Sequence, residues 1–277
     1  MSDAAVTAEL RHWMLAQLGA GRSPDAILAA MRDVGWTQDQ ATAALQLVLT
    51  PAPEEEPRAG RTPGPALDGS PSSIVVDGHR VHVLAVMQRP RLVVFGGLLN
   101  DAECDALVEL ARPRLARSET VDTATGSTEI NGARTSDGMF FARGETPLLA
   151  RVEQRIAALL RWPVERGEGL QVLRYRPGAE YRPHHDYFDP DRPGSAAVLA
   201  RGGQRVATLV IYLASPDGGG ATSFPDAGIE VAPVKGNAVF FAYEAPKPWT
   251  RTLHGATPVL GGEKWVATKW LRQRRFD

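Results

Sequence analysis

The feature that most limits the fold of this chain is a succession of short strand-like segments in its carboxy-terminal part. These segments are rich in β-branched and other apolar residues, with turns dense in Gly, Pro and Asp between them, and they span 170–175, 206–213, 229–231, 238–241, 250–254 and 265–271. No helical segment alternates regularly with these strands, so a parallel sheet made of strand–helix–strand units is not expected. The pattern predicts a β-sandwich or jelly roll.

Three further strands and two helices precede this region. Strands are predicted at 74–76, 81–86 and 92–95. One helix is predicted after the N-cap Asn100 and another from Thr146-Pro147, with apolar faces formed by Cys104, Leu107, Val108 and Ala111 and by Leu148, Val152, Ile156 and Leu159. We expect both helices to pack on the outside of a sheet. The fold is therefore predicted to be mainly β with supporting helices, an α+β arrangement.

Residues 1–50 are predicted to form a separate module of three short helices. The residues expected to cap these helices or to fill their core include Ser23, Pro24, Ile27, Ala30, Met31, Val34, Thr37 and Gln40. The simpler interpretation is a small bundle that buries its own apolar stripes. The alternative is a partner-binding module, because the Val34-Gly35-Trp36 corner resembles bundles of the ubiquitin-associated type.

A segment rich in Pro, Gly and Ser separates this module from the strands. Residues 51–73 include the run Glu54-Glu55-Glu56 and almost no large apolar side chain. Such a composition cannot bury enough surface to order the backbone, so we expect a flexible linker. The predicted organisation is a helical module at 1–50, a linker at 51–73 and a β-rich domain at 74–277.

Charge and cysteine content narrow the classes of function. The chain has 31 basic and 32 acidic residues, a formal net charge of −1, so no basic excess indicates a nucleic-acid partner. The single cysteine, Cys104, excludes an intrachain disulfide framework and a thiolate zinc cluster. No signal peptide and no apolar run of about 18 residues are found, so we expect a cytoplasmic protein without a membrane partner.

The chemistry centres on the triplet His184-His185-Asp186 and on a distant histidine, His254. In an extended segment His184 and Asp186 project to the same side, while His185 points away. Two imidazoles and one carboxylate form the facial triad of non-haem Fe(II) oxygenases, which leaves three coordination positions open. The same three ligands also suit a zinc hydrolase. The alternative without any metal site is that the two histidines lie in unconnected loops.

Lys264 changes this balance. In strand alternation Lys264, Val266, Thr268 and Trp270 share one face. A lysine on an apolar face either extends its ammonium group to the strand end or pairs with a buried anion. A bound dicarboxylate would supply such an anion.

Several motifs in this part of the chain resemble the prolyl 4-hydroxylase family of 2-oxoglutarate- and Fe(II)-dependent dioxygenases. They are Tyr175…Gly178…Tyr181-x-x-His184-x-Asp186-x-Phe188, the segment 205–213, Gly219-Gly220-x-Thr222-x-Phe224-Pro225, Pro233-x-Lys235-Gly236-x-Ala238-x-x-Phe241, and the block from His254-Gly255 through Lys264-Trp265 to Trp270. Their order and spacing agree with the family from about residue 92 to residue 271. The resemblance implies a double-stranded β-helix, or jelly roll, with a metal at its open end.

The resemblance also implies roles for individual residues. It identifies His184, Asp186 and His254 as ligands of Fe(II), and Lys264 as the partner of the distal carboxylate of 2-oxoglutarate. Tyr175, Thr268 and Trp270 are implied to lie beside that co-substrate, and ascorbate is implied as a further cofactor. The expected substrates are dioxygen and a prolyl residue in a peptide or protein, with succinate and carbon dioxide released. Residues expected at the peptide are Arg134, Tyr181 and Trp249.

Other functions stay open at this point. The same chemistry on another amino acid, a small molecule or a nucleobase is one alternative. A zinc-dependent hydrolase and a non-catalytic adaptor recruited through the helical module are two of a different class. Two segments leave the substrate undetermined, a polar, proline-rich loop at 187–201 and the segment 244–251. Gly218-Gly219-Gly220 is predicted to be a flexible turn, because the lysine and helix of a phosphate-binding loop do not follow it.

Overall fold

The computed structural model describes residues 8–49, 62–117, 120–121, 128–129 and 135–277. The chain divides into two compact units, Met1–Ala59 and Gly60–Asp277. No helix among the described residues is long and apolar enough to cross a membrane.

The first unit is a bundle of three helices. They are α1 (Ala8–Gly19), α2 (Pro24–Asp33) and α3 (Gln38–Leu49). The predicted caps are confirmed: the Ser23 side chain accepts a hydrogen bond from the Ala26 N–H, and Thr37 and Gln40 form a reciprocal capping box. The core of the unit is formed by Met14, Ile27, Met31, Ala41, Ala44 and Leu45. The prediction for Val34 was wrong, because it follows the last residue of α2 and is 76% exposed.

The second unit is built from seventeen strands and three helices among the described residues. The strands are β1 (Ser73–Val76), β2 (His79–Met87), β3 (Arg91–Gly96), β4 (Ala116–Arg117), β5 (Thr120–Val121), β6 (Thr128–Glu129), β7 (Asp137–Phe140), β8 (Gln171–Tyr175), β9 (Tyr181–His184), β10 (Arg205–Ala214), β11 (Gly218–Gly219), β12 (Thr222–Phe224), β13 (Ile229–Val231), β14 (Ala238–Ala242), β15 (His254–Ala256), β16 (Val259–Gly261) and β17 (Lys264–Arg272). The helices are α4 (Asp101–Ala111), α5 (Pro147–Leu160) and α6 (Ser195–Ala200).

Two antiparallel sheets form the centre of this unit. The larger has the order β1-β2-β3-β14-β10-β17-β8-β7-β4, and the smaller has the order β13-β12-β15-β9. One apolar cluster joins them, with Tyr175, Val210, Phe241 and Val266 from the larger sheet and Phe224 from the smaller. Two packed antiparallel sheets of this kind make the predicted jelly roll.

The helices α4 and α5 cover the other face of the larger sheet, as predicted. Their apolar residues, among them Cys104, Leu107, Ile156 and Leu159, share a second core cluster with strand residues. Asn100 caps α4 through a capping box with Glu103, and Thr146 caps α5 ahead of Pro147. Each helix therefore begins where the sequence predicts.

Two local predictions differ from the structure. Residues 250–254 do not form a strand, because a 3-10 turn occupies Pro248–Thr250, Arg251 adopts a left-handed φ of 55°, and β15 begins only at His254. Residues 63–65, placed in the linker, are buried in the second unit. The Gly64 N–H donates to the Leu160 carbonyl, and Arg161 donates to the carbonyl of Gly64.

Candidate metal centre and adjoining pocket

The two histidines of the predicted triad are brought together by strand pairing. His184 ends β9 and His254 begins β15, and the antiparallel register places them directly opposite each other. Asp186 lies two residues past the end of β9, in a bend, so the extended geometry expected for residues 184–186 does not continue to the carboxylate. His185 points elsewhere and stacks on Tyr187, with ring centroids 4.6 Å apart. It is not part of the triad.

The three side chains form a compact donor set. One ligand atom from each of His184, Asp186 and His254 lies within 4.8 Å of the other two. Nε2 of His184 is 3.6 Å from Oδ1 of Asp186, and Nε2 of His254 is 3.4 Å from Oδ2. Asp186 and His254 are buried, whereas the His184 side chain is 24% exposed. The cluster is therefore reached from solvent on the His184 side.

Backbone carbonyls orient both imidazoles. Nδ1 of His184 lies 2.9 Å from the Arg182 carbonyl, and Nδ1 of His254 lies 3.0 Å from the Thr252 carbonyl. Because a carbonyl only accepts, Nδ1 of each ring is the donor in this contact, and Nε2 is the ring nitrogen left to face a metal. Metal-binding histidines in proteins show the same support from a second hydrogen bond.

The protonation states also suit a divalent cation. Burial lowers the pKa of His254 to about 4, against the opposing effect of the Asp186 charge, so its imidazole is neutral near pH 7. Burial by itself raises the pKa of Asp186, but His254, His184 and Arg205 outweigh it, and the pKa lies well below its ordinary value. The neutral His254 imidazole, the His184 imidazole and the ionised Asp186 carboxylate are the donor types of a facial triad for Fe(II).

Thr208 and Arg205 hold Asp186 from the larger sheet. The Thr208 hydroxyl donates to Oδ2 of Asp186 at 2.7 Å, and Arg205 lies 3.4 Å from the Asp186 carbonyl oxygen. Arg205 is itself held by the carboxylate of Glu168 at 2.6 and 2.9 Å. Neither Thr208 nor Arg205 had a predicted role, although both lie in the motif 205–213. Thr208 could have been noticed in the sequence, because it is a polar residue inside an apolar strand.

Lys264 lines the same pocket as the triad. It is 2% exposed and pairs across β17 and β8 with Tyr175, whose ring centroid is 5.3 Å from Nζ. Burial lowers the pKa of Lys264 to about 7. Within the part of the chain that the structure describes, no carboxylate pairs with its ammonium group. A buried cation without a protein anion fits one carboxylate of a bound dicarboxylic acid.

The pocket combines apolar walls with a few polar groups. Its lining consists of Gln171, Leu173, Tyr175, Tyr181, His184, Asp186, Val210, Thr222, His254, Gly255, Ala256, Lys264, Val266, Thr268 and Trp270. The face predicted for Lys264, Val266, Thr268 and Trp270 is thus confirmed as one wall. Nε1 of Trp270 is buried and has no hydrogen-bond partner among the described residues, so it is an unused donor.

The residues expected at the peptide have different outcomes. Tyr181 lines the pocket and stacks on His184, with ring centroids 3.7 Å apart. Trp249 is 62% exposed, on the 3-10 turn Pro248–Thr250, and is not among the pocket-lining residues. Arg134 lies outside the described residues. Their roles towards a substrate stay predictions.

The loops around the site are more ordered than the sequence analysis expected. The segment 187–201 contains α6, and Gln204 holds it by exchanging hydrogen bonds with the backbone of Phe188. Gly218–Gly219 forms β11 and pairs with β16. A Cβ at Gly219 would lie 2.2 Å from the Pro258 carbonyl oxygen, and one at Gly220 would lie 3.2 Å from Cδ of Lys264. Gly219 therefore allows close approach to the Pro258 backbone, and Gly220 makes room for the Lys264 side chain.

Comparison with known proteins agrees with this geometry. A sequence model of the 2OG-Fe(II) oxygenase superfamily matches residues 170–272. Prolyl 4-hydroxylase 2 of Arabidopsis thaliana is 39% identical over 236 residues, which cover 76% of each chain. Prolyl 4-hydroxylase 1 of the same plant is 42% identical over 209 residues, covering 67% of this chain and 70% of the relative.

A solved structure shows the same fold. The viral collagen prolyl hydroxylase of Paramecium Bursaria Chlorella virus-1, in its 2-oxoglutarate complex, aligns with a TM-score of 0.51 at 30% identity. The alignment covers 65% of this chain and 95% of the viral protein. The fold and the site define a 2-oxoglutarate- and Fe(II)-dependent dioxygenase, and the chain belongs to the prolyl 4-hydroxylase family of these enzymes.

Proposed function

We propose that this enzyme hydroxylates prolyl residues in a peptide or protein, with 2-oxoglutarate and dioxygen as co-substrates. The observation that carries the proposal is one pocket lined both by a metal-binding donor set and by Lys264, whose ammonium group pairs with no carboxylate of the described residues. Bound Fe(II) supplies the oxidation in which one oxygen atom of dioxygen enters succinate, carbon dioxide is lost, and the other converts a substrate C–H to C–OH.

His184, Asp186 and His254 would hold the metal on one face. Their Nε2 and carboxylate oxygen atoms already converge, so metal binding needs little rearrangement of the chain. Three ligands on one octahedral face leave three positions for a chelating co-substrate and dioxygen. The carbonyls of Arg182 and Thr252 keep the protons on Nδ1, away from the metal.

Lys264 would hold the distal carboxylate of 2-oxoglutarate. A carboxylate beside Nζ favours the charged lysine, so its pKa rises again on binding and the ammonium form persists. Tyr175, Thr268 and Trp270 line the same cavity. The apolar walls exclude bulk water, which strengthens these polar contacts.

The peptide would enter beside His184, the exposed side of the triad. Tyr181 is the aromatic side chain at that opening. Trp249 and Arg134 stay further candidates for peptide contacts on the strength of the sequence resemblance alone. The relatives named above are prolyl 4-hydroxylases, which supports a peptidyl proline as the substrate. Ascorbate as a further cofactor and a protein partner for the helical module belong to the same proposal.

Succinate release is the direct test. The metal-free protein is loaded anaerobically with Fe(II), mixed with 2-oxoglutarate and a proline-rich peptide, and exposed to oxygen, with and without ascorbate. We expect peptide-dependent succinate and one added oxygen atom on proline by mass spectrometry. His184→Ala should abolish both. Lys235→Ala, a change at a lysine that pairs with Asp105 on α4, should alter neither.

Each other outcome is informative. If succinate is released but no peptide stimulates its release, the assignment as a dioxygenase stands, and the proposal of a peptidyl substrate is overturned. No release under any condition, together with tight zinc binding, would favour the hydrolase alternative. A free amino acid as the stimulating substrate would replace the peptide.

A further inference from the structure

A buried chain of hydroxyl groups ends at the metal carboxylate. Oγ1 of Thr208 lies 2.7 Å from Oδ2 of Asp186 and 3.1 Å from the hydroxyl oxygen of Tyr243. Thr208 is 0% exposed and Tyr243 is 2% exposed, so water does not compete for these contacts. Neither residue had a role predicted from the sequence.

The number of protons that each group can donate sets the direction of these hydrogen bonds. An ionised carboxylate only accepts hydrogen bonds, so the single hydroxyl proton of Thr208 is donated to Asp186. The Thr208 oxygen must then accept, and Tyr243 is the donor. Hydrogen bonds to a charged group are shorter and stronger than those between neutral groups, in agreement with the 2.7 Å contact.

The backbone of Thr208 is much better fixed than that of Asp186. Thr208 lies within β10, opposite Phe241 of β14 on one side and Trp270 of β17 on the other. Asp186 follows the end of β9 and has no strand partner. The hydroxyl of Thr208 therefore ties a ligand on a bend to the middle of the larger sheet.

We propose that Thr208, supported by Tyr243, is a positioning residue that holds the Asp186 carboxylate in the orientation that binds Fe(II) through one oxygen. A carboxylate that rotated to bind through both oxygens would occupy a position that the chelating co-substrate and dioxygen require. The hydroxyl contact at Oδ2 opposes this rotation without neutralising the charge. The inference rests on the metal site of the proposed function.

The chain provides a matched control. Tyr212 and Thr222 form a second buried tyrosine–threonine pair, at 2.9 Å, in which Tyr212 donates to Thr222. Neither residue contacts a metal ligand through a hydrogen bond in the described structure. Tyr212→Phe removes the same group as Tyr243→Phe from an equally buried place.

The test is Co(II) binding to the metal-free full-length chain, followed by the visible ligand-field spectrum without co-substrate or peptide. Loss of an outer hydrogen bond to a metal ligand typically weakens metal affinity about 10- to 100-fold. We expect Thr208→Val, which keeps the side-chain shape, to weaken Co(II) binding by about that factor and to change the spectrum. Thr208→Ser should restore both. Tyr243→Phe should weaken binding about threefold, because it leaves Thr208 in place.

The outcomes separate this inference from the proposed function. An unchanged Kd and spectrum in Thr208→Val would overturn the positioning role, and equal losses in Tyr212→Phe would show general loosening instead. If Thr208→Val does not fold, Tyr243→Phe decides, and unaltered binding in that variant would overturn the inference. Absence of Co(II) binding by the unmodified chain would overturn the metal site itself.

Discussion

Two lysines on one strand show what a buried ammonium group requires. On β17, Lys269 and Lys264 are each 2% exposed. Nζ of Lys269 donates to the Glu153 carboxylate and to the Glu168 carbonyl, so its charge is satisfied within the protein. Lys264 faces the pocket, where no described carboxylate meets it. Lys269 therefore stabilises the fold, and Lys264 is available to bind an anionic ligand.

Replacing the two lysines should therefore have opposite effects on stability. Lys264→Met removes an unpaired buried cation, so the free energy of unfolding without co-substrate should rise by about 2 kcal/mol. Lys269→Met leaves Glu153 buried and unpaired and should lower it by about 3–5 kcal/mol. Urea unfolding measures the free energy of unfolding of both variants. For Lys264→Met the KM for 2-oxoglutarate should also rise about a hundredfold, and an unchanged KM would remove Lys264 from the co-substrate site.

The pH dependence of co-substrate binding follows from Lys264. Burial lowers its pKa to about 7 in the free protein, and the protonated form is the one that attracts a dianion. Above that pH, binding must take up a proton, so the Kd for 2-oxoglutarate should increase about tenfold per pH unit. Calorimetric titration of the metal-loaded protein without oxygen measures this. In the Lys264→Arg variant the Kd for 2-oxoglutarate should stay constant over the same pH range. If the Kd rose as steeply in this variant as in the parent protein, another group would be responsible for the pH dependence.

At the scale of elements, the pairing of β9 with β15 creates the metal site. Both strands are short, and their register alone places His184 opposite His254. Gly255 lies between the strands where space is least, because a Cβ there would be 2.7 Å from the Tyr181 carbonyl oxygen. The ladder thus depends on a residue with no side chain.

We predict that Gly255→Ala separates the two strands. The clash is with backbone, which yields little, so a loss of about 1–3 kcal/mol in stability is expected, with weaker Co(II) binding. Gly218→Ala is the matched control, because its Cβ would meet only the Leu260 side chain at 3.7 Å. Unfolding and metal titration test both variants. Equal metal affinity in the parent protein and Gly255→Ala would show that the register tolerates a side chain there.

At the scale of the whole molecule, each unit has its own apolar core. The first is built around Met14, Ile27 and Met31, and the second around the two packed sheets. The triad, Lys264 and every pocket-lining residue belong to the second unit. Catalysis on a short peptide should not need the helical module.

Two truncations test this division. Removal of residues 1–61 should leave succinate turnover with a short peptide unchanged within about twofold, because every described residue of the second unit is kept. Removal of residues 1–72 also takes away the buried Pro63, Gly64 and Pro65 and should lower the thermal midpoint by about 4–8 °C. A loss of turnover in the shorter truncation would give the module a catalytic role.

The sequence by itself determined the class of fold and the chemistry of the site. Alternating apolar residues with frequent turn residues are compatible with few architectures other than packed antiparallel sheets. His184, Asp186, His254 and Lys264 were assigned through the resemblance of their motifs to the prolyl 4-hydroxylase family, and the structure brings them to one pocket. The strand and turn signals are local in sequence, and the resemblance depends on the order and spacing of motifs along the chain.

Only the tertiary structure decided how the carboxylate is held. Thr208 is 22 residues from Asp186 and Tyr243 is 35 residues from Thr208, and no periodicity links them. Strand β9 was missed because Arg182, Pro183 and His184 are not apolar, yet pairing with β15 makes it a strand. The exposure of Trp249 and the burial of Pro63 likewise do not follow from the local sequence. Which side chains meet depends on sheet register and packing between distant segments, and a single sequence does not encode these in any local pattern.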